Sequence, residues 1–246
     1  MATNKTVIVT GASSGIGFAI AKAYLERGYN VIGNSLRLEE LQKAAAQLGQ
    51  PQNFHLIAGD ISKSDTVHKL FHFAEQNFGK IDIVINNAGI FIAKALAEYT
   101  ESDIDRMFDI NLRSFVYTAQ ATAQHMSKNG GGHLLTITAA LAMQPNAKLP
   151  ALLPVLTKGG LNNAIKTLAL ELAPFDIMVN AVAPGVIETP MHGDNDELKS
   201  RLKAMAPTHR LGDPQDIVDA VLYLTDSSFV TGTILPVDGG STAGTW

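Results

Sequence analysis

Thr6-Val7-Ile8-Val9-Thr10-Gly11-Ala12-Ser13-Ser14-Gly15-Ile16-Gly17 is the stretch from which the fold is read. A β-branched run ends at Thr10, glycines follow in the spacing G-x-x-x-G-x-G, and an amphipathic segment opens at Gly15. Hydrophobic periodicity predicts a strand over 6–10 and a helix over 15–27. Glycines at such a turn let the backbone reverse sharply and let a pyrophosphate approach the positive helix N-terminus. A glycine-rich turn can also stand without a ligand, but the strand before it and the helix after it argue for phosphate binding. Gly11, Ser13, Ser14, Gly15, Ile16 and Gly17 are therefore candidate binding residues.

Working outward, short apolar runs alternate with longer periodic stretches to the end of the chain. Further strands are predicted at 30–34, 54–58, 81–85, 133–138, 177–183 and 233–237. Further helices are predicted at 37–48, 64–78, 101–128, 154–172 and 214–225. Ile81-Asp82-Ile83-Val84-Ile85 is mostly apolar on both faces, as parallel strands covered on each side require. Repeated β-α units with right-handed crossovers predict an α/β fold, a doubly wound parallel sheet. The 246 residues suit a single domain. Gln144 to Pro154 is the least regular stretch and reads as a loop.

Composition narrows the classes. With 19 basic and 23 acidic residues and no Lys/Arg-rich run, nothing points to nucleic acid or an anionic membrane surface. The apolar runs fall far short of the roughly 18–20 residues that span a bilayer. Met1 to Thr6 is polar and leads straight into Val7, leaving no room for a signal peptide. The absence of cysteine excludes disulfides and thiolate metal sites and suits a reducing compartment. The expectation is a soluble, globular, cytoplasmic protein.

Beyond the glycine turn, several motifs recur in a fixed order. They are Gly59-Asp60-Ile61, Asn86-Asn87-Ala88-Gly89, Asn111, Pro184-Gly185-Val186-Ile187-Glu188-Thr189-Pro190, Arg210-Leu211-Gly212-Asp213-Pro214 and Val237-Asp238-Gly239-Gly240. Nearly end to end the chain resembles the short-chain dehydrogenase/reductase family, whose fold is Rossmann-like. The resemblance implies that Asp60 and Ile61 lie at the adenine and that Asn87, Ala88 and Gly89 abut the cofactor. Pro184, Gly185, Ile187 and Thr189 then contact the nicotinamide carboxamide.

The second strand ends Ile32-Gly33-Asn34-Ser35-Leu36-Arg37. An acidic side chain at its tip would accept from the ribose hydroxyls of NAD and repel a 2′-phosphate. Ser35 holds that place, so the carboxylate is missing. Arg37 either pairs with a phosphate or only begins the next helix in solvent. The reading favours NADP(H) over NAD(H).

The family's proton donor is a tyrosine with a lysine four residues later, a serine orients the carbonyl, and an asparagine holds a water in the proton path. By resemblance, Asn111 and Lys158 are present, Lys158 also binding the nicotinamide ribose, whereas Ala139 stands for the serine and Pro154 for the tyrosine. The stretch between Ala139 and Lys158 is longer than usual. Tyr117 and Tyr223 belong to other elements, and strand alternation turns Thr138 away from the face of residue 139. Proline is tolerated in a first helical turn, so the fold survives its presence. Losing a positioned general acid costs ~10²–10⁴ in rate.

Other candidates are weaker. His68 and His72 are spaced i,i+4 but have no third ligand nearby, so no metal site is expected. His192, His209 and Glu188 flank or lie in a substrate-covering segment, 188–210. Self-association as a homodimer or homotetramer is expected through 101–128 and 154–172. Three functions stay open: an inactive, dinucleotide-binding sensor or partner of an active relative; an oxidoreductase with another proton donor for a carbonyl or hydroxyl substrate; and a non-redox lyase or isomerase. The loops 90–100, 140–153 and 188–210 carry no pattern that names a small-molecule substrate.

Overall fold

The computed structural model describes residues 4–190 and 196–244. Its frame is a parallel sheet of β1 (Thr6–Thr10), β2 (Asn30–Ser35), β3 (Phe54–Ala58), β4 (Ile83–Asn86), β5 (Gly132–Ile137), β6 (Ile177–Pro184) and β7 (Ile234–Val237). The spatial order is β3-β2-β1-β4-β5-β6-β7. Between β1 and β4 the direction of winding reverses, and a crevice opens beyond their carboxyl ends. Val7, Ile8 and Val9 of β1 stand opposite Ile83, Val84 and Ile85 of β4, which sets the register at that reversal.

Both faces are covered, which explains why the strands are mostly apolar on either side. Val7 and Val9 point toward α1 (Gly15–Glu26), α2 (Leu38–Gln47) and α8 (Pro214–Asp226), where Ile20, Tyr24, Leu41, Val218 and Val221 are buried. Ile8 points the other way, into a core with Leu70 and Phe71 of α3 (Ser64–Phe78), Phe115 of α5 (Ser114–Met126), and Leu161 and Ile165 of α6 (Leu152–Leu172). The fully buried Tyr24 shares a 2.7 Å hydrogen bond with Thr225, tying α1 to α8 across one face.

The structure departs from the sequence reading in four places. The single helix expected over 101–128 is α4 (Glu101–Phe108), a π-helical turn at Asp109–Arg113, and α5. One inserted residue in a helix leaves the apolar period nearly intact, so periodicity does not reveal it. The fourth strand starts at Ile83, and the N–H of Ile81, expected within it, donates to His125 Nε2 at 3.0 Å. The helix expected from Pro154 begins at Leu152, which keeps the proline in the first turn, where its missing N–H has no intrahelical acceptor. A further short helix, α7 (Asp196–Lys203), lies inside the segment read as a covering loop.

Helix α1 comes so near the sheet that a Cβ on Gly17 would run into the Gly11 carbonyl oxygen and the Asn87 amide. Gly17→Ala is expected to cost about 1–3 kcal/mol, as overpacking of a closed core does. A urea melt checks this: the midpoint falls while the slope stays unchanged.

Candidate functional site

The glycine turn sits at the crevice where the strand order reverses. Gly11 and Gly15 adopt φ of 68° and 55°, a region that side-chain-bearing residues rarely enter. Ser14 is the N-cap of α1, its side chain caps nothing, and it is exposed, which leaves the helix N-terminus open. Thr10 was not singled out from the sequence, yet it organises the turn. Its hydroxyl accepts from the backbone N–H of Asn87 and of Ala88, each at 3.0 Å. In return Asn87 Nδ2 donates to the carbonyls of Thr10 at 2.9 Å and Gly11 at 3.3 Å. The motif after β4 is thus fastened to the turn after β1. The signal was a hydroxyl residue directly before the first glycine.

At the tip of β2, Ser13 Oγ donates to Ser35 Oγ at 3.0 Å, and Ser35 Oγ donates to Glu40 Oε2 at 3.2 Å. Arg37 Nε donates to Glu40 Oε1 at 3.0 Å, and its Nη2 pairs with the same oxygen. Arg37 holds the Glu40 carboxyl below the usual carboxylate range. This corrects the expectation that the strand tip lacks a carboxylate: Ser35 does, but Glu40 brings one from the first turn of α2. Folding the turn over Ser35, with Arg37 and Glu40 one helical turn apart, makes that juxtaposition. Beside them Asp60 accepts from the Ser62 N–H at 2.9 Å, and Asn34 Nδ2 donates to the Gly59 carbonyl at 3.2 Å. The Ile61 side chain is buried in the core, so only its backbone can face a ligand.

The other end of the crevice brings together Gly89, Asn111 and Lys158. Asn111 stands in the π turn and is buried, donating from Nδ2 to the Ile90 carbonyl at 3.0 Å and to Thr157 Oγ1 at 3.2 Å. Its Oδ1 accepts from the Ile90 N–H at 2.9 Å. Lys158 Nζ donates to the Ile137 carbonyl at 2.8 Å. Burial pushes the Lys158 pKa from its ordinary 10.5 down to about 8. A Cβ on Gly89 would lie 3.1 Å from Lys158 Nζ and 3.2 Å from Asn111 Oδ1, so both groups crowd this glycine.

Pro154 is buried one helical turn before Lys158, and Ala139 is half-buried just past β5. The Thr138 hydroxyl donates to the Val182 carbonyl at 3.3 Å, turned into the sheet as strand alternation demands. Tyr223 is exposed on α8, and Tyr117 is half-buried on α5. His209 is exposed, with a left-handed backbone. His192 lies outside the described residues. His68 and His72 are exposed, and among the described residues no three His, Asp or Glu side chains gather as metal ligands.

The segment after β6 folds back over the turn. The Gly185 N–H donates to the Val237 carbonyl at 2.9 Å and the Glu188 N–H to the Gly212 carbonyl at 2.8 Å. Pro184 is buried at the end of β6, and Ile187 packs into the core. Thr189 is carried to Gly15, where an added Cβ would lie 3.3 Å from its methyl. Glu188 is exposed and pairs with Lys199 at 3.1 Å. A cavity of about 180 Å³ lies between this segment, Arg210 and Asp238, and neither Asn111 nor Lys158 lines it.

The chain is similar along its length to known proteins. Residues 11–242 match the family described as Enoyl-(Acyl carrier protein) reductase. A 3alpha-hydroxysteroid dehydrogenase of Mediterraneibacter gnavus is 36% identical over 250 residues, covering 98% of each chain. A short-chain type dehydrogenase/reductase from Mycobacterium marinum superposes with a TM-score of 0.92 at 30% identity, over 98% of this chain and 97% of that one. The structure titled ElxO with NADP bound gives 0.91 at 25% identity, over 98% and 100%. The 3-ketoacyl-(acyl-carrier-protein) reductase of Brucella melitensis complexed with NADH gives 0.90 at 29% identity, over 97% and 98%. With its reversed strand order, its glycine turn and these relatives, the chain belongs to the short-chain dehydrogenase/reductase family.

Proposed function

We propose that this protein binds a nicotinamide dinucleotide, NADP(H) in preference to NAD(H), and that it is a non-catalytic or very slow member of its family, acting as a sensor or as partner to an active relative. The residues fit the cofactor. The cradle at Gly11 and Gly17 is one that a Cβ would fill, and the helix N-terminus behind it is open to a pyrophosphate. Arg37 offers a planar cation at the β2 tip for a 2′-phosphate. Asn111 and Lys158 would hold the nicotinamide end. A bound dinucleotide supplies a hydride, and the chain would have to supply the proton.

One observation carries the inactive reading. Pro154, with no hydroxyl, is buried one turn before Lys158, and neither Ala139 nor the sheet-bonded Thr138 offers a donor there. Lys158 supports a binding role. A buried cation bonded to a neutral carbonyl burdens the fold, and such groups concentrate at functional sites. A second reading, reduction with another proton source, draws on the same lysine, because a group titrating near 8 is suited to proton transfer near neutral pH.

Fluorescence titration should give saturable binding of NADPH and NADH, tighter for NADPH; no binding of either at millimolar concentration ends the proposal. On a panel of ketones and aldehydes, turnover should fall ~10²–10⁴ below the usual ~1–10 s⁻¹. Turnover inside that range would favour the second reading. The double change Ala139→Ser with Pro154→Tyr should raise reductase activity weakly, limited by the room around a buried position 154. A folded, NADPH-binding double variant that reduces nothing would mean that the pocket itself is remodelled.

Lys158→Met separates binding from stability. The folded pKa of about 8 lies below the ordinary 10.5, so between these values the unfolded chain holds the extra proton and stability rises with pH. Below about 8 that gain is absent and burying the cation costs the fold. The variant should melt higher at neutral pH, by on the order of 5 °C, and lose the rise above pH 8. It should also bind NADPH more weakly. Melting curves between pH 6 and 10 with parallel titrations test both effects.

Exposed apolar side chains support self-association through α5 and α6. Val116 is 49% exposed, Leu156 51% and Leu170 82%. Light scattering should report a dimer or tetramer, and Leu156→Glu should shift it toward monomer.

A further inference from the structure

We infer that Glu40 is a specificity-determining residue of the adenosine-ribose site, a carboxylate that opposes the NADP(H) preference created by Arg37. This rests on the proposal that the glycine turn binds a dinucleotide.

With a pyrophosphate at the N-terminus of α1, the adenosine ribose falls at the carboxyl end of β2. Ser35 ends that strand and is 8% exposed. Its hydroxyl receives a bond from Ser13 in the glycine turn and passes one to Glu40 Oε2 at 3.2 Å. The chain Ser13–Ser35–Glu40–Arg37 thus runs from the phosphate-binding turn to the guanidinium, with the carboxylate in its middle. Glu40 is the third residue of α2, whose N-cap is Arg37. That spacing folds the carboxylate back over both the strand tip and the arginine. Lys43 lies close enough to act on Glu40 through its charge.

The electrostatic consequence follows from charge alone. A 2′-phosphate needs Arg37, but Arg37 is already paired with Glu40. NADP(H) must therefore break that pair and stand beside the carboxylate, whereas the free diol of NAD(H) meets a ready acceptor. Like charges a few ångströms apart at a partly solvated site repel by an amount equivalent to roughly tenfold in affinity. With Arg37 favouring the phosphate and Glu40 opposing it, the site accepts both dinucleotides.

The test titrates NADPH and NADH against the wild type, Glu40→Gln, Glu40→Ala, Arg37→Ala and, as a control, Glu39→Gln, an exposed neighbouring carboxylate. Both Glu40 variants should raise the NADPH-to-NADH affinity ratio roughly tenfold. Arg37→Ala should lower it, and Glu39→Gln should change it less than twofold. The gain should shrink at higher ionic strength, which a purely structural effect would not do. Two Glu40 substitutions of different size guard against a folding defect in either one. Binding of both dinucleotides by the wild type with an unchanged ratio in the Glu40 variants overturns this inference and leaves dinucleotide binding standing. A ratio that moves toward NADH overturns it too. A wild type that binds neither dinucleotide overturns the underlying reading, and this inference falls with it.

Discussion

The structure depends on how closely α1 approaches the ends of β1 and β4. Gly17 lies against the Gly11 carbonyl and the Asn87 amide with no room for one methyl group. The winding reverses here, and two loops whose backbone donors need partners end at the crevice. Thr10 satisfies two of them, the N–H groups of Asn87 and Ala88. Buried backbone donors without partners are costly, so this threonine and the returning Asn87 amide hold the crevice edges in register. Everything proposed for the cofactor end stands on that closure.

The opposite end of the crevice is held through Ile90, Thr157 and Ile137, with Pro154 contributing only its backbone carbonyl, to the Thr157 hydroxyl at 3.4 Å. Asn111 is held by both backbone groups of Ile90 and by Thr157, and Thr157 in turn donates to the Leu153 carbonyl at 2.8 Å. Lys158 is held by Ile137. None of these bonds involves Ala139 or the missing N–H of Pro154. The framework that positions the lysine and asparagine is therefore mechanically independent of a serine or tyrosine hydroxyl.

Charge is treated differently at the two ends. Lys158 is desolvated, it donates to a neutral carbonyl, and its proton is loosened accordingly. Arg37 is exposed and Glu40 half-buried at the surface, where their pairing is weakened by water and screened by salt. A pair at the surface is easily rearranged by a charged ligand. A buried lysine commits the fold to its position whether or not a ligand is present.

The amino-acid sequence by itself determined the fold class, the order of strands along the chain and the glycine turn. These follow from period and from residues whose φ or size leaves no alternative, such as Gly11, Gly15 and Gly17. It also identified Asn111, Lys158, Ala139 and Pro154 as the positions to inspect, through family resemblance. The π turn at Asp109–Arg113 was not legible, because one extra residue in a helix barely disturbs its apolar stripe. Nor was the fate of the Ile81 N–H, since the ring that accepts it comes from His125, far along the chain. Tertiary structure alone decided that Ile61 and Ile187 serve the core, that Thr10 fastens two loops, and that Glu40 meets Ser35 and Arg37. The first two are contacts between elements, set by how the crossovers pack onto the sheet, about which local pattern carries no information; the third is a local pairing whose meeting with Ser35 depends on how the turn after β2 folds.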